Sequence, residues 1–264
     1  MLPPTPRLVA ALLATALAFF VSQTASGRDA RVVVDGQAYH VEVSGTSGPS
    51  IVFEAGLGTD STTWKSIAGP VGTFARVVLY DRAGLGRSAP VARTNAPITA
   101  AEAVKSLHAV LAAADIRPPY LLVGHSLGGL YLQMFARTYP TEVSGIVLVD
   151  SAAADAPAEL KTLARLEPGT VAYREEQGMA DSNRQVTASG SFPAVPLTVI
   201  AATDHGTHFR RWEPTLMWLQ QQLATLSPQG SLVVAEGCGH DVQTDCPDIV
   251  VEAIRRMVKT ATIR

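Results

Sequence analysis

Charge is scarce in this 264-residue chain: Asp, Glu, Lys and Arg make up 17% of it, against roughly 25% in an average soluble domain. The 21 basic and 23 acidic side chains nearly cancel, and no block of either sign occurs. The dense cationic face that a phosphate backbone requires is missing, so nucleic acid is not an expected partner. No repeat with a period of roughly 20–50 residues is visible, which excludes solenoids and propellers. No apolar run reaches the roughly 20 residues of a membrane-spanning helix, so no stable membrane anchor is expected. Cysteine is nearly absent as well, with two residues. Apolar side chains, in contrast, make up 47%, which excludes a disordered chain. The length suits one large domain or two small ones.

Arg7 precedes a run from Leu8 to Val21 that is apolar except for Thr15. One positive charge, an apolar core and then small residues at Ala25-Ser26-Gly27 read as a signal peptide over residues 1–27. An uncleaved signal anchor is the alternative. No cysteine lies there to carry a lipid. The expectation is an exported protein, periplasmic or extracellular, whose folded part is residues 28–264.

That part alternates strands and helices. Val32-Val33-Val34 and Tyr39 to Val43 flank Asp35-Gly36, a hairpin signal. Ser50 to Glu54 forms a third strand and runs into the loop Ala55-Gly56-Leu57-Gly58. Buried strands read as continuous aliphatic runs, here Arg76–Tyr80, Tyr120–Val123, Gly145–Val149, Leu197–Ala201 and Ser231–Ala235. Thr99 with Glu102 forms a capping box ahead of the helical stretch Ala103–Ala114. Pro214 and Pro247 stand where a first helical residue would be. An antiparallel entry hairpin followed by βα units predicts an α/β fold with a mostly parallel central sheet and helices on both faces. The stretch from 151 to about 193 breaks the rhythm and reads as a small cap insertion, its second half, Gly178 to Ser191, being either cap or loose surface loop. Trp212, Leu216, Trp218 and Leu219 read as a buried helix face, or else as a pocket wall.

Within Leu121-Leu122-Val123-Gly124-His125-Ser126-Leu127-Gly128-Gly129 a strand enters G-x-S-x-G and then an amphipathic helix. A serine hydroxyl is a poor nucleophile and has to stand exposed to a base on a sharp strand-to-helix turn. Gly124 and Gly128 leave room where strand and helix cross. The helix N-terminus behind Ser126 adds partial positive charge beside a developing oxyanion. A glycine turn serving packing alone leaves the serine unexplained.

On these residues the chain resembles the α/β-hydrolase fold family over nearly all of residues 31–264. The family's elbow is matched by Gly124-His125-Ser126-Leu127-Gly128, and an earlier loop by Asp81-Arg82-Ala83-Gly84-Leu85-Gly86-Arg87-Ser88. The oxyanion loop is matched by Ala55-Gly56-Leu57-Gly58, with Ala55 where a histidine is frequent. The resemblance implies Ser126 as nucleophile and the backbone N–H groups of Leu57 and Leu127 as oxyanion hole.

The family's chain order of nucleophile, acid and base implies a base after the last strand. His240, in Gly237-Cys238-Gly239-His240, fits it. His40 and His108 read as structural, and His125 is locked beside the nucleophile. Two carboxylates compete to orient the base: Asp204, just past the penultimate strand, and Asp150, past the strand before it. Asp204 is the expected acid, as in most members. Asp81 and Arg82 are expected to hold a loop through a local ion pair. Asp204, His205 and His208 could suggest a metal, but their spacing lacks a second cluster, so neither metal nor cofactor is expected.

The expected function is a secreted serine hydrolase that opens an ester or related acyl bond of a small molecule through an acyl-enzyme. The elbow serine argues against displacement at saturated carbon, for which related enzymes use an aspartate. A thioesterase, a peptidase, a carbon–carbon bond hydrolase and a non-catalytic binding protein are the alternatives. The two cysteines, Cys238 and Cys246, flank His240; an even count in an exported protein suggests that they form a disulfide.

Overall fold

The computed structural model describes residues 27–46, 48–160 and 165–262. The expected signal segment lies outside these residues except for Gly27. Eight strands form one sheet in the order β1-β2-β4-β3-β5-β6-β7-β8. They are β1 (Arg28–Val34), β2 (Gln37–Gly45), β3 (Ser50–Glu54), β4 (Arg76–Tyr80), β5 (Tyr120–His125), β6 (Val143–Val149), β7 (Leu197–Ala202) and β8 (Gly230–Ala235). β1 and β2 form the antiparallel entry hairpin, β2 pairs antiparallel with β4, and the other pairings are parallel. Asp35 and Gly36 turn the hairpin with φ of 49° and 80°, the double positive φ of a type I′ turn.

Because side chains alternate along a strand, each central strand feeds two cores. Val52, Leu122, Ile146, Leu148 and Val199 pack beneath α2 (Ala100–Ala113), α3 (Leu127–Thr138) and α6 (Glu213–Ala224). Ile51, Phe53, Leu121, Val123, Val147 and Ile200 face α1 (Lys65–Gly72) and α8 (Pro247–Thr262). Burial on both faces is why these strands read as unbroken apolar runs. Among the described residues no helix is long and apolar enough to cross a membrane.

The capping box forms: the Thr99 backbone N–H donates to Glu102 Oε2 at 2.8 Å. Pro247 opens α8, whereas Pro214 is the second residue of α6. The interval after β6 contains α4 (Val171–Gln177) and α5 (Met179–Ala188). The loose-loop alternative for Gly178–Ser191 is therefore corrected, and the reason is tertiary. Ser182 Oγ accepts the Ala100 N–H and Gln185 Oε1 accepts the Ala101 N–H, each at 2.9 Å. A polar helix is thus held in place by supplying acceptors to the first turn of α2, whose N–H groups have none of their own. The expected buried face of α6 also needs correcting. Leu219 is buried, but Trp218 is 50% exposed; one residue along a helix is about 100° around it, and the inward stripe is Leu219, Gln220 and Leu223.

Candidate active site

A single residue, Ser126, separates β5 from α3. Its φ of 52° and ψ of −121° lie where L-residues are rarely found, and such strain at a turn is characteristic of functional positions. The glycines around it are required by contact. A Cβ on Gly128 would stand 2.5 Å from the carbonyl oxygens of Glu54 and Ala55, and one on Gly124 would stand 2.9 Å from the Gly128 carbonyl. Strand β3 and its following loop therefore press directly on the elbow. A Cβ on Gly56 would lie 3.5 Å from Ser126 Cβ, which places the glycine loop beside the serine. Leu127 is the first residue of α3, so its N–H has no intrahelical acceptor. The Leu57 N–H has no acceptor among the described residues either.

Arg82 braces that loop. Its buried guanidinium donates from Nη1 to the Ala55 carbonyl at 2.8 Å and from Nη2 to the Gly56 carbonyl at 2.5 Å. The same group pairs with Glu54 at 2.6 Å and with Glu175 of α4 at 2.7 Å. Tyr80 donates its hydroxyl to Glu54. Burial pushes the Glu54 carboxyl above the ordinary carboxylate range despite the arginine beside it. The expected local pairing of Asp81 with Arg82 is not made: Asp81 instead accepts the N–H groups of Ser61 and Arg87 and the Nδ1 side of His40. The brace absent at Ala55 is thus supplied by a side chain from the loop after β4, and nothing in the sequence marks Glu175 as its partner.

His240 follows β8 and is 47% exposed. Its Nδ1 lies 2.6 Å from Asp150 Oδ2. Asp204, the expected acid, is exposed and accepts the Gly206 N–H at 3.0 Å. The expected contact is corrected accordingly: the carboxylate on His240 is that of Asp150. Asp150 follows β6 with φ of 39°, its N–H is tied to the Ile200 carbonyl at 2.8 Å, and its Oδ1 accepts the Ala202 N–H at 3.1 Å. Burial alone would raise its pKa, but hydrogen bonds from His205 and His240 outweigh that and hold it well below the ordinary carboxylate range.

Two histidines carry more than the sequence suggests. His125, beside the serine, donates from Nε2 to the backbone carbonyl of His240 at 3.0 Å. Burial, followed by the nearby His240, lowers its pKa to about 4, so it is neutral at pH 7. His205 reaches Asp150 Oδ2 at 2.8 Å. Among the described residues, Asp150, His205 and His240 are the group whose donor atoms converge, within 4.8 Å of one another. Their hydrogen-bonded separations of 2.6 and 2.8 Å are shorter than two ligands keep at roughly 2.0–2.2 Å from a tetrahedral ion, so the arrangement does not fit a metal.

Ser126 Oγ and His240 Nε2 have no hydrogen-bond partner among the described residues. The rings of His125 and His240 lie 4.7 Å apart, which keeps His240 at the elbow. Cys238 and Cys246 are disulfide-bonded and enclose His240 in their loop. A shallow cleft of about 510 Å³ lined by Pro49, Arg76 and Arg117 sits at the opposite end, where the strands begin; in such sheets ligands bind beyond the carboxyl ends.

Residues 51–253 match the alpha/beta hydrolase family. The chain belongs to that family. It is 33% identical over 231 residues to the uncharacterized protein YqjL of Bacillus subtilis, covering 84% of this chain and 88% of the relative. The fold of this hydrolase is shared with a thermophilic esterase from Thermogutta terrifontis, at a TM-score of 0.65 and 19% identity over 89% of this chain and 99% of the other. It is also shared with Est816, described as an N-acyl homoserine lactone degrading enzyme, at a TM-score of 0.63 and 20% identity over 86% and 99%.

Proposed function

We propose that this alpha/beta hydrolase is a serine ester hydrolase in which Ser126 is the nucleophile, His240 the general base and Asp150 the orienting acid. The observation that carries the reading is the 2.6 Å contact of His240 Nδ1 with buried Asp150. It supports Nδ1 as the protonated nitrogen, which leaves Nε2 to serve as the base toward Ser126.

His240 Nε2 takes the Ser126 proton as Oγ bonds to the carbonyl carbon. The N–H groups of Leu57 and Leu127 receive the oxyanion. The carbon–oxygen bond then breaks, and the departing alkoxide leaves as an alcohol with the proton from His240. Water, deprotonated by the same imidazole, bonds to the acyl carbon; the bond from that carbon to Ser126 Oγ then breaks, His240 returns the proton to Oγ, and the carboxylic acid leaves. Approach of a carbonyl has to complete the serine–histidine hydrogen bond, as in other sites that tighten only in the substrate complex. Ester chemistry, rather than thioester or amide chemistry, is favoured by the esterase and lactone-degrading enzymes among its structural neighbours. The disulfide supports the reading of residues 1–27 as an export signal, since such bonds persist in oxidising compartments.

The test is labelling with a fluorophosphonate, read by the modified residue, alongside turnover of p-nitrophenyl esters of graded chain length and matched thioesters and amides. Labelling on Ser126 with ester turnover is the expected outcome. Folded protein that neither labels nor turns over esters would sink the reading.

A further inference from the structure

His205 has two carboxylates, one at each ring nitrogen. Nε2 lies 2.8 Å from Asp150 Oδ2 and Nδ1 lies 2.9 Å from Glu213 Oε2. Glu213 Oε1 also accepts the backbone N–H of His205 at 2.7 Å. An ionised carboxylate only accepts, so each ring nitrogen has to carry a proton to make its bond. The geometry therefore calls for an imidazolium. The ring is almost fully buried, with 8% of the side chain exposed, and Asp150 is more so at 4%. Burial disfavours the charge, but the hydrogen bonds and negative charges of Asp150 and Glu213 raise the pKa of His205 to about 9.

From this arrangement we infer that His205, clamped by Glu213, is a cationic positioning residue that holds the Asp150 carboxylate and limits how strongly it favours the protonated form of His240. The inference rests on Asp150, His240 and Ser126 acting as proposed above. A single oxygen, Asp150 Oδ2, receives both imidazoles, at 2.8 and 2.6 Å. A positive charge held permanently on one side offsets part of the negative charge that attracts a proton to the other. Activity that needs the free base should then persist to lower pH than it would beside an uncompensated carboxylate.

The titratable groups facing His205 are Asp150 at the end of β6, Glu213 at the start of α6, and His240 after β8, whose ring centroid is 6.1 Å away. Asp204, the adjacent carboxylate on its own loop, is engaged with the Gly206 N–H. The two carboxylates thus act in one direction on His205, and His240 is the group that feels the result.

His205→Gln and His205→Leu test this, with fluorophosphonate labelling of the wild-type enzyme on Ser126 first establishing the underlying reading. Glutamine can still donate to Asp150 but carries no charge. The acid limb of its kcat/KM profile is expected to move up by about half a pH unit or more, with plateau kcat within about threefold of wild type and KM unchanged. Leucine removes the donor too, and plateau kcat should fall by roughly tenfold or more as Asp150 loses its hold. ¹⁵N-histidine NMR of the wild-type protein at pH 7.5 should show both His205 nitrogens protonated, a result that does not depend on either variant folding. Either an unchanged acid limb in a folded, active His205→Gln enzyme or a neutral His205 in the wild-type spectrum overturns the inference. Absence of Ser126 labelling would instead remove the catalytic reading beneath it.

Discussion

Glu175, on helix α4 of the insertion, accepts the backbone N–H of Gly58 at 2.8 Å while its other oxygen pairs with Arg82 at 2.7 Å. One carboxylate therefore fixes both the glycine loop and the guanidinium that holds two of that loop's carbonyls. Gly58 also has φ of 64°, and a Cβ there would approach Ala172 of α4 within 2.5 Å. Loop and insertion are in direct contact, so disturbing α4 should reach the proposed oxyanion donors.

Glu175→Ala should accordingly be among the most damaging changes outside the proposed triad. It removes one of the two carboxylates on buried Arg82, which keeps Glu54 at 2.6 Å, so the cost should stay below the roughly 3–5 kcal/mol of a buried charge left wholly unpaired. It also frees the Gly58 N–H, and kcat should fall by about tenfold or more as the loop loosens. Glu175→Gln, which keeps an acceptor for Gly58, should lose less of both. A melt combined with ester kinetics measures the two effects. Wild-type kcat in a folded Glu175→Ala enzyme would disconnect the loop from the oxyanion.

Ser126→Ala should lower ester turnover by roughly 10⁴-fold or more and abolish fluorophosphonate labelling. Alanine faces the same positive φ as serine, so the melting temperature should hardly change. More than a tenth of wild-type turnover in the variant would assign the chemistry to another residue.

Asp150→Asn and Asp204→Asn should separate cleanly. The first places an amide on the base and should cost about 10⁴-fold in kcat, as loss of the orienting carboxylate does in related triads. The second disturbs a turn at Gly206 and should stay within about threefold of wild type. Steady-state kinetics at saturating ester decides, and the opposite order would return the acid role to Asp204.

The strands were legible because the central sheet is covered on both faces, which leaves long aliphatic runs with little else to mean. The elbow was legible because its glycines are forced by contacts at Glu54, Ala55 and Leu132. Which carboxylate meets His240 was not. Val149 and Ile200 are register partners in neighbouring strands, so the carboxylates after β6 and β7 arrive at the same sheet edge. What separates them is the left-handed backbone at Asp150 and the turn that engages Asp204, both products of tertiary structure. His205 and Glu175 had no local signature, because each acquires its role from a partner on a distant element. The order of α5 was hidden for the same reason: its acceptors serve another helix.

His205 also gives stability a pH dependence with a defined sign. Its folded pKa of about 9 lies above the roughly 6.5 of a free imidazole. The stabilisation is therefore complete below about pH 6.5 and is lost as pH rises through about 9. The melting temperature of the wild-type protein should decline across that window, and that of His205→Gln should decline less. Parallel curves for the two proteins would show that His205 does not hold its proton in the folded state.

The Cys238–Cys246 bond should matter more to catalysis than to folding. It closes a loop with a sequence separation of 8, for which the chain-entropy model gives roughly 2–3 kcal/mol. That is a modest share of what a domain with two cores can draw on. Within the closed loop, however, lies His240, and the same segment is pinned at both ends. The Cys238 carbonyl accepts the N–H groups of Thr203 and Asp204 at 3.2 and 3.1 Å, and Gly239 donates to Asp245 at 3.0 Å. Cutting the bond leaves these backbone contacts, His125 at the His240 carbonyl and Asp150 at Nδ1 as the restraints on the imidazole. A proton transfer that depends on sub-ångström placement should feel that loss first. Titrating a mild reductant should therefore lower kcat at concentrations where the circular dichroism of the folded domain is unchanged. Cys238→Ser/Cys246→Ser should reproduce the reduced enzyme's kcat and lose the response to reductant. Should activity and fold disappear together along the titration, the bridge would be a structural staple alone; unaltered kcat in the fully reduced, folded protein would deny it any hold on His240.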